Sequence, residues 1–317
     1  MTRFLMQRLA ETLLVLIVMS FVIYGLIGLM PGDPIDLMIT ADPNLTTEDA
    51  ARLKALYGLD RPLVERYLAW AQAAAGGDFG YSRLQLQPVW QVIAPRLGNT
   101  LLLMGVSLAI ALAVAIPAGV WAAARPRSAV DHVINLAAFA GISVPPFWLA
   151  ILLIMLFAVL LGILPASGTA TTGVHGIADR ATYLILPVLT LTIVTIGTQL
   201  RYVRSAMMEV LRQDYIRTAR AKGVSPAGLL YGHALRNAMI PFVTILALDF
   251  GTLFSGALIT ETMFAYLGMG KAIYDAIMGN DYNLAMVGLM MATATVLLAN
   301  LVADFAYAWL DPRVSYR

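Results

Sequence analysis

Residues Asp214–Pro241 read DYIRTARAKGVSPAGLLYGHALRNAMIP, a basic insert rich in small residues that separates two strongly apolar stretches. From Arg201 to Asn237 the chain holds seven basic residues (Arg201, Arg204, Arg212, Arg217, Arg220, Lys222, Arg236) against two acidic ones (Glu209, Asp214). That excess places the segment on the cytoplasmic side of a membrane, because positive loops resist translocation. The insert is too long for a tight helix connection. Its punctuation predicts helix, turn, helix. Tyr215, Ile216 and Ala219 recur at helical spacing, and Gly223 ends that helix with a positive φ. Ser225 and Pro226 then open a second helix as N-cap and first-turn proline. Such an element on a membrane surface implies a partner held there.

The rest of the chain supplies the membrane. It is 60% hydrophobic and 13% charged with positive mean hydropathy, which excludes a soluble globular protein. A spanning helix needs roughly 20 apolar residues. Six stretches qualify, Leu9–Met30, Thr100–Ala122, Ile134–Leu161, Tyr183–Leu200, Met239–Thr260 and Leu284–Trp309. The fold class is therefore an all-α integral membrane protein with six transmembrane helices. The first stretch is long and lacks a small-residue cleavage site, so it reads as a retained helix. The net charge of +2 comes from loops and implies no nucleic-acid partner.

Orientation follows from those loops. Arg3 and Arg8 precede the first span, Arg125 and Arg127 follow the second, and Arg313 and Arg317 end the chain. The opposite-side loops carry Arg180 and Lys271 against Asp179, Glu261, Asp275 and Asp281. Both termini are thus expected in the cytoplasm. Arg204 and the other isolated arginines beside spans read as topology charges. Residues 1–98 form the first helix plus a long outer loop, residues 99–317 a five-helix core, and residues 201–237 the cytoplasmic segment. The outer loop predicts an amphipathic helix capped by Thr47 before Glu48, with Ala51, Leu53 and Leu56 apolar. There is no cysteine, so packing and not a disulfide must hold that loop.

Several chemistries are excluded. Gly270-Lys271 lacks the upstream glycine and following hydroxyl residue of a nucleotide-binding loop, so the chain does not itself cradle ATP. His132, His175 and His233 are scattered without ligand spacing, and no metal site is expected. Neither a His-Glu-x-x-His sequence nor a serine-protease pairing occurs.

Other marks carry two readings each. Pro145-Pro146 predicts a kink in the third span, architectural or mobile. Gly251, Ser255 and Gly256 predict close helix packing in the fifth. Thr195, Thr198 and Gln199 face a polar path or bond to a neighbouring helix. Asp249, Thr252, Gly256 and Thr260 share one stripe of the fifth span. That stripe lines a pathway in which Asp249 favours a positively charged amino terminus, or else it buries a neutral or hydrogen-bonded carboxyl. Ala219 and Ala221 leave room for another protein to approach. Arg217, Arg220 and Lys222 mark topology, satisfy the last carbonyls of their helix, or meet an acidic partner, Arg217 foremost.

The stretch RTARAKG followed by HALRNAMIP resembles the coupling segment of ABC-importer permeases, in the dipeptide/oligopeptide/nickel branch. Pro31-Gly-Asp-Pro34, Tyr57-Gly-Leu-Asp-Arg-Pro62, Asp78-Phe-Gly-Tyr-Ser82, Ser143-Val-Pro-Pro-Phe147, Leu164-Pro-Ala-Ser-Gly168, Glu261-Thr-Met-Phe264 and Leu310-Asp-Pro-Arg313 resemble, in order, that branch's B-type subunit. The resemblance implies a type I importer permease in a bacterial inner membrane, with half of a translocation pathway. Its implied partners are a second related permease, two ATPases that bind ATP and Mg, an external solute-binding protein, and lipid. It assigns ATPase docking to Arg217, Thr218, Ala219, Arg220, Ala221, Lys222, Gly223, Ser225 and Pro226. Pathway-lining residues expected by position are Asp249, Thr252, Gly256, Thr195 and Gln199. Di- and oligopeptides are the implied cargo, with nickel, glutathione or another small peptide-like solute as alternatives. A secondary transporter would show an inverted repeat, and none is visible. One departure stands out: the general pattern opens with Glu-Ala-Ala where this chain has Arg217-Thr218-Ala219, so no salt bridge from a Glu there carries over.

Overall fold

The computed structural model describes residues 2–29, 61–174 and 176–310, without the side chains of residues 2–5, 244, 247, 248, 252, 255 and 307–310. In lipid every backbone polar group must be satisfied within the protein, which drives apolar sequence into helices. The helices are α1 (Thr2–Gly28), α2 (Leu63–Ala75), α3 (Val89–Ala124), α4 (Ala129–Ser143), α5 (Pro146–Leu153), α6 (Ile177–Val210), α7 (Asp214–Ala221), α8 (Arg236–Met263), α9 (Met269–Met278) and α10 (Tyr282–Leu310). A short antiparallel pair, β1 (Tyr81–Ser82) and β2 (Gln87–Pro88), was not expected from an all-helical pattern. Residues 30–60 and 311–317 and His175 lie outside the described residues, and with them the Thr47 helix and the first and last resemblance motifs.

Four helices, α1, α3, α6 and α10, are long and apolar enough to cross a membrane, and the bent pair α4–α5 makes a fifth crossing if taken as one span. The 28-residue α8 contains the expected fifth stretch, Met239–Thr260, and some of its side chains fall outside the description. The third span departs from expectation. One kinked helix was expected; the chain forms two, bent by 97° at the break. A proline pushes its predecessor out of the helical region, and two in a row do so twice. Val144 (φ −86°, ψ 120°) and Pro145 (φ −61°, ψ 136°) are both extended, and Pro146 starts α5. Beyond Leu153 the helix widens into π turns over Ile154–Leu160.

Helices α3 and α6, 36 and 34 residues long, form the spine of the bundle. At a rise of about 1.5 Å per residue they exceed the roughly 30 Å hydrocarbon core and project beyond it. Close approach is set on α6: a Cβ added to Gly197 would collide with the Ala138 carbonyl of α4. The expected small-residue contacts on α8 are ordinary by comparison. A Cβ at Gly251 would meet Val296 at 3.7 Å, and one at Gly256 would meet Leu191 at 3.4 Å.

Arg204 is more than a topology charge. Its guanidinium grips the buried Asp131 of α4 through two bonds, Nε to Oδ1 at 2.6 Å and Nη2 to Oδ2 at 2.8 Å. Asp131 also accepts from the Arg127 amide at 2.9 Å and Asn135 Nδ2 at 2.7 Å. The clamp fixes the end of α6 against the start of α4. At α2, Tyr67 stacks edge-on against Phe21 and Tyr24 of α1 and shares a 2.8 Å hydrogen bond with Ser20. Aromatic packing thus does the work a disulfide would have done.

Candidate functional site

The basic segment folds as its punctuation predicts. Asp214–Ala221 is a helix, and Gly223 turns the chain at φ +80°. A Cβ there would meet no atom within 4 Å, so the requirement for glycine is conformational and not spatial. Ser225 Oγ accepts from the Gly228 amide at 3.2 Å, the bond of an N-cap, with Pro226 following. From Pro226 the chain stays helical without interruption, through π turns at Gly228–Leu235 and then α8, as far as Met263.

The two faces of α7 differ. Ile216 is buried with Val203, Met207 and Leu229, and Ala219 packs against the same cluster. Ala219, partly exposed, therefore helps to seat α7 on its own chain. Ala221 is exposed, which keeps open the expected role of leaving room for another protein. Arg217, Thr218, Arg220 and Lys222 point outward. Arg217 Nη1 lies 3.3 Å from Asp214 Oδ1, and Thr218 Oγ1 donates to the Asp214 carbonyl at 3.0 Å. Partial burial pushes the Tyr215 hydroxyl pKa up, so that side chain stays neutral.

A second feature lies between α6 and α8. Thr195, Thr198 and Gln199 of α6 face Asp249 and Gly256 of α8 across a cavity of about 410 Å³, which Pro146 of α5 also lines. Gln199 Nε2 donates to Asp249 Oδ2 at 3.0 Å. For Gln199 the two readings left open coexist, since it bonds between helices and lines a space; Thr195 lines the space while bonding to Leu191 within α6. The side chain of Thr252 is outside the description. Thr260, on the same stripe, is buried and absent from the lining.

Sequence reasoning missed the other end of α8. Glu261 and Asp281 read as loop acids, yet both are buried. Glu261 accepts from Thr100 Oγ1 at 2.5 Å and from the Lys271 amide at 3.0 Å, while Thr100 Oγ1 accepts from the Met269 amide at 2.7 Å. A Cβ on Gly268 would collide with the Glu261 carboxylate, so a glycine is needed for the chain to pass. Asp281 accepts from Ser82 Oγ at 2.5 Å, the Leu84 amide at 3.0 Å and the Leu284 amide at 3.2 Å, tying the β1–β2 hairpin to the start of α10. The signal available in sequence was Gly268 and Gly270 beside Lys271, since a glycine can mark a place where another group approaches the backbone closely. Among the described residues no group of three or more acidic or histidine side chains is placed to hold a metal.

Comparison with known proteins follows from this geometry. The pattern described as "Binding-protein-dependent transport system inner membrane component" matches residues 115–316, and that of "Binding-prot-dependent transport system membrane comp, N-term" matches residues 1–104. The chain belongs to this family. Permeases of the family are multi-pass proteins of the bacterial inner membrane and leave ATP hydrolysis to partner ATPases, and this chain is such a subunit. It is 38% identical to the oligopeptide transport system permease protein AppB of Bacillus subtilis (strain 168), over 318 residues and 100% of both chains. It is 35% identical to the dipeptide transport system permease protein DppB of Escherichia coli (strain K12), over 339 residues and 100% of both. The inward facing MetNI methionine ABC transporter shares the fold, with a TM-score of 0.57 at 18% identity over 70% of this chain and 97% of that one.

Proposed function

We propose that this chain is one permease subunit of an ATP-driven, binding-protein-dependent importer of di- and oligopeptides, crossing the membrane six times with both termini in the cytoplasm. Two ATPases dock on the segment around α7, a second related permease completes the pathway, and an external binding protein delivers cargo. The observation that carries the mechanism is the unbroken helix from Pro226 to Met263. Its first turns adjoin the exposed cations of α7, and its middle presents Asp249 to the cavity. A displacement passed from α7 across the Gly223 turn to the start of this helix is therefore carried along one continuous helix to the pathway. Peptide cargo is supported by the full-length likeness to permeases named for oligopeptide and dipeptide transport.

Gly223→Val tests the docking. A β-branched residue is disfavoured at positive φ by roughly 1–2 kcal/mol, and the strain falls on the turn alone. In the reconstituted complex, stimulation of ATP hydrolysis by peptide-loaded binding protein is expected to fall at least about tenfold, with the complex still assembling in the membrane. Normal stimulation would sink the assignment of this turn to coupling.

A further inference from the structure

The polar atoms of the α6–α8 cavity are biased toward accepting hydrogen bonds. Thr195 gives its hydroxyl proton to the Leu191 carbonyl at 2.7 Å, so its oxygen offers lone pairs to the cavity. Gln199, only 1% exposed, spends an amide hydrogen on Asp249, and its Oε1 is buried without a hydrogen-bond partner. A buried acceptor without a donor is costly, and proteins retain one chiefly where a ligand or water supplies the hydrogen. Asp249 is the only ionisable side chain lining the cavity among the described residues. The remaining walls, Leu108, Leu191 and Leu246 among them, are apolar apart from the Thr198 hydroxyl. A carboxylate beside an unpaired amide carbonyl, in apolar surroundings, is complementary to a compact cation with several N–H donors.

We propose that Gln199 and Asp249 form a binding site for a protonated amine and that, resting on the peptide-importer reading, its occupant in transport is the α-ammonium group of the cargo. Gln199 holds Asp249 Oδ2 through the 3.0 Å bond, while its own carbonyl oxygen takes a hydrogen from the ammonium. Apolar walls accept side chains without choosing among them, so the site reads one end of a peptide and tolerates many sequences.

The test uses the complete importer in proteoliposomes. The probes are a labelled dipeptide and its N-acetylated form, each at a concentration that saturates the binding protein. The wild type is expected to import the free amine faster by about tenfold or more, the factor of one charge-assisted hydrogen bond. Asp249→Asn is expected to lower that ratio about tenfold, and Gln199→Met about threefold, with import of the acetylated peptide unchanged. A wild-type ratio near one, or an unchanged ratio in both variants, overturns the site while leaving the importer reading intact. Should Asp249→Asn fail to assemble, Gln199→Met decides on the same ratio. Replacing Na⁺ and K⁺ by choline, a quaternary cation without N–H donors, separates an inorganic occupant: equal loss of both peptides' import assigns the site to a metal cation and overturns the cargo assignment. Import of neither peptide by the wild type overturns the peptide-importer reading as well.

Discussion

At the start of the long helix that runs from Pro226 to Met263, Arg217, Arg220 and Lys222 stand in the open, and Arg217 pairs with the exposed Asp214. At its far end Glu261 is sealed among Thr100, Gly268 and the Lys271 amide, and Asp281 is sealed under the β1–β2 hairpin. Charge in high dielectric costs little and makes weak local bonds, so an exposed cation stays available to a partner. A buried carboxylate must be satisfied where it lies or the fold suffers. The first end leaves its charges exposed; the second is complete in itself. Arg204 and Asp131 break the symmetry, because they put a buried ion pair at the basic end.

The sharpest way to test the comparison is to remove the sealed carboxylate. Glu261→Ala leaves the Thr100 hydroxyl and the Lys271 amide without their acceptor, at roughly 1–3 kcal/mol each. The purified complex is expected to melt about 5–15 °C lower, on the usual scaling of melting temperature with stability. A shift under 2 °C, measured by thermal unfolding in detergent, would mean that this end is not self-contained.

Arg204→Ala comes next and asks whether the basic end is wholly a surface. Breaking a buried pair by removing one partner costs about 3–5 kcal/mol where both are fully buried, and less here because Arg204 is partly exposed. The expected drop in melting temperature is a few degrees. Arg204→Ala with Asp131→Asn should recover part of it, since no uncompensated charge is left. Lack of recovery would remove the ion pair from the account.

Arg217→Ala gives the smallest effect. Its melting temperature should match the wild type, because an exposed pair contributes little. Retention of the partner ATPase in a pull-down should weaken about two- to fivefold, and more than for Arg212→Ala, an exposed arginine just before α7. Equal retention in the two variants would reduce Arg217 to a topology charge.

What the sequence could decide by itself was whatever depends on short-range periodicity and local backbone chemistry. Runs of apolar residues located the spanning helices, Gly223 and Ser225-Pro226 located the turn and the cap, and the spacing of three and four put Asp249 and Gly256 on one stripe. Each of these is settled within a few residues by sterics or helical pitch. The double proline was visible too, but its outcome was not: whether Val144 and Pro145 kink a helix or divide it at 97° depends on what the two halves pack against. Only tertiary structure turned Ala219 inward, set Arg204 on Asp131 across 73 positions, and paired Gln199 with Asp249 across 50. It alone buried Glu261 and Asp281, which composition had counted as solvent-facing acids. The physical reason is common to all of them. Burial and hydrogen bonding between distant segments are properties of packed helices, and no local pattern in the chain encodes which polar residue will find its partner inside.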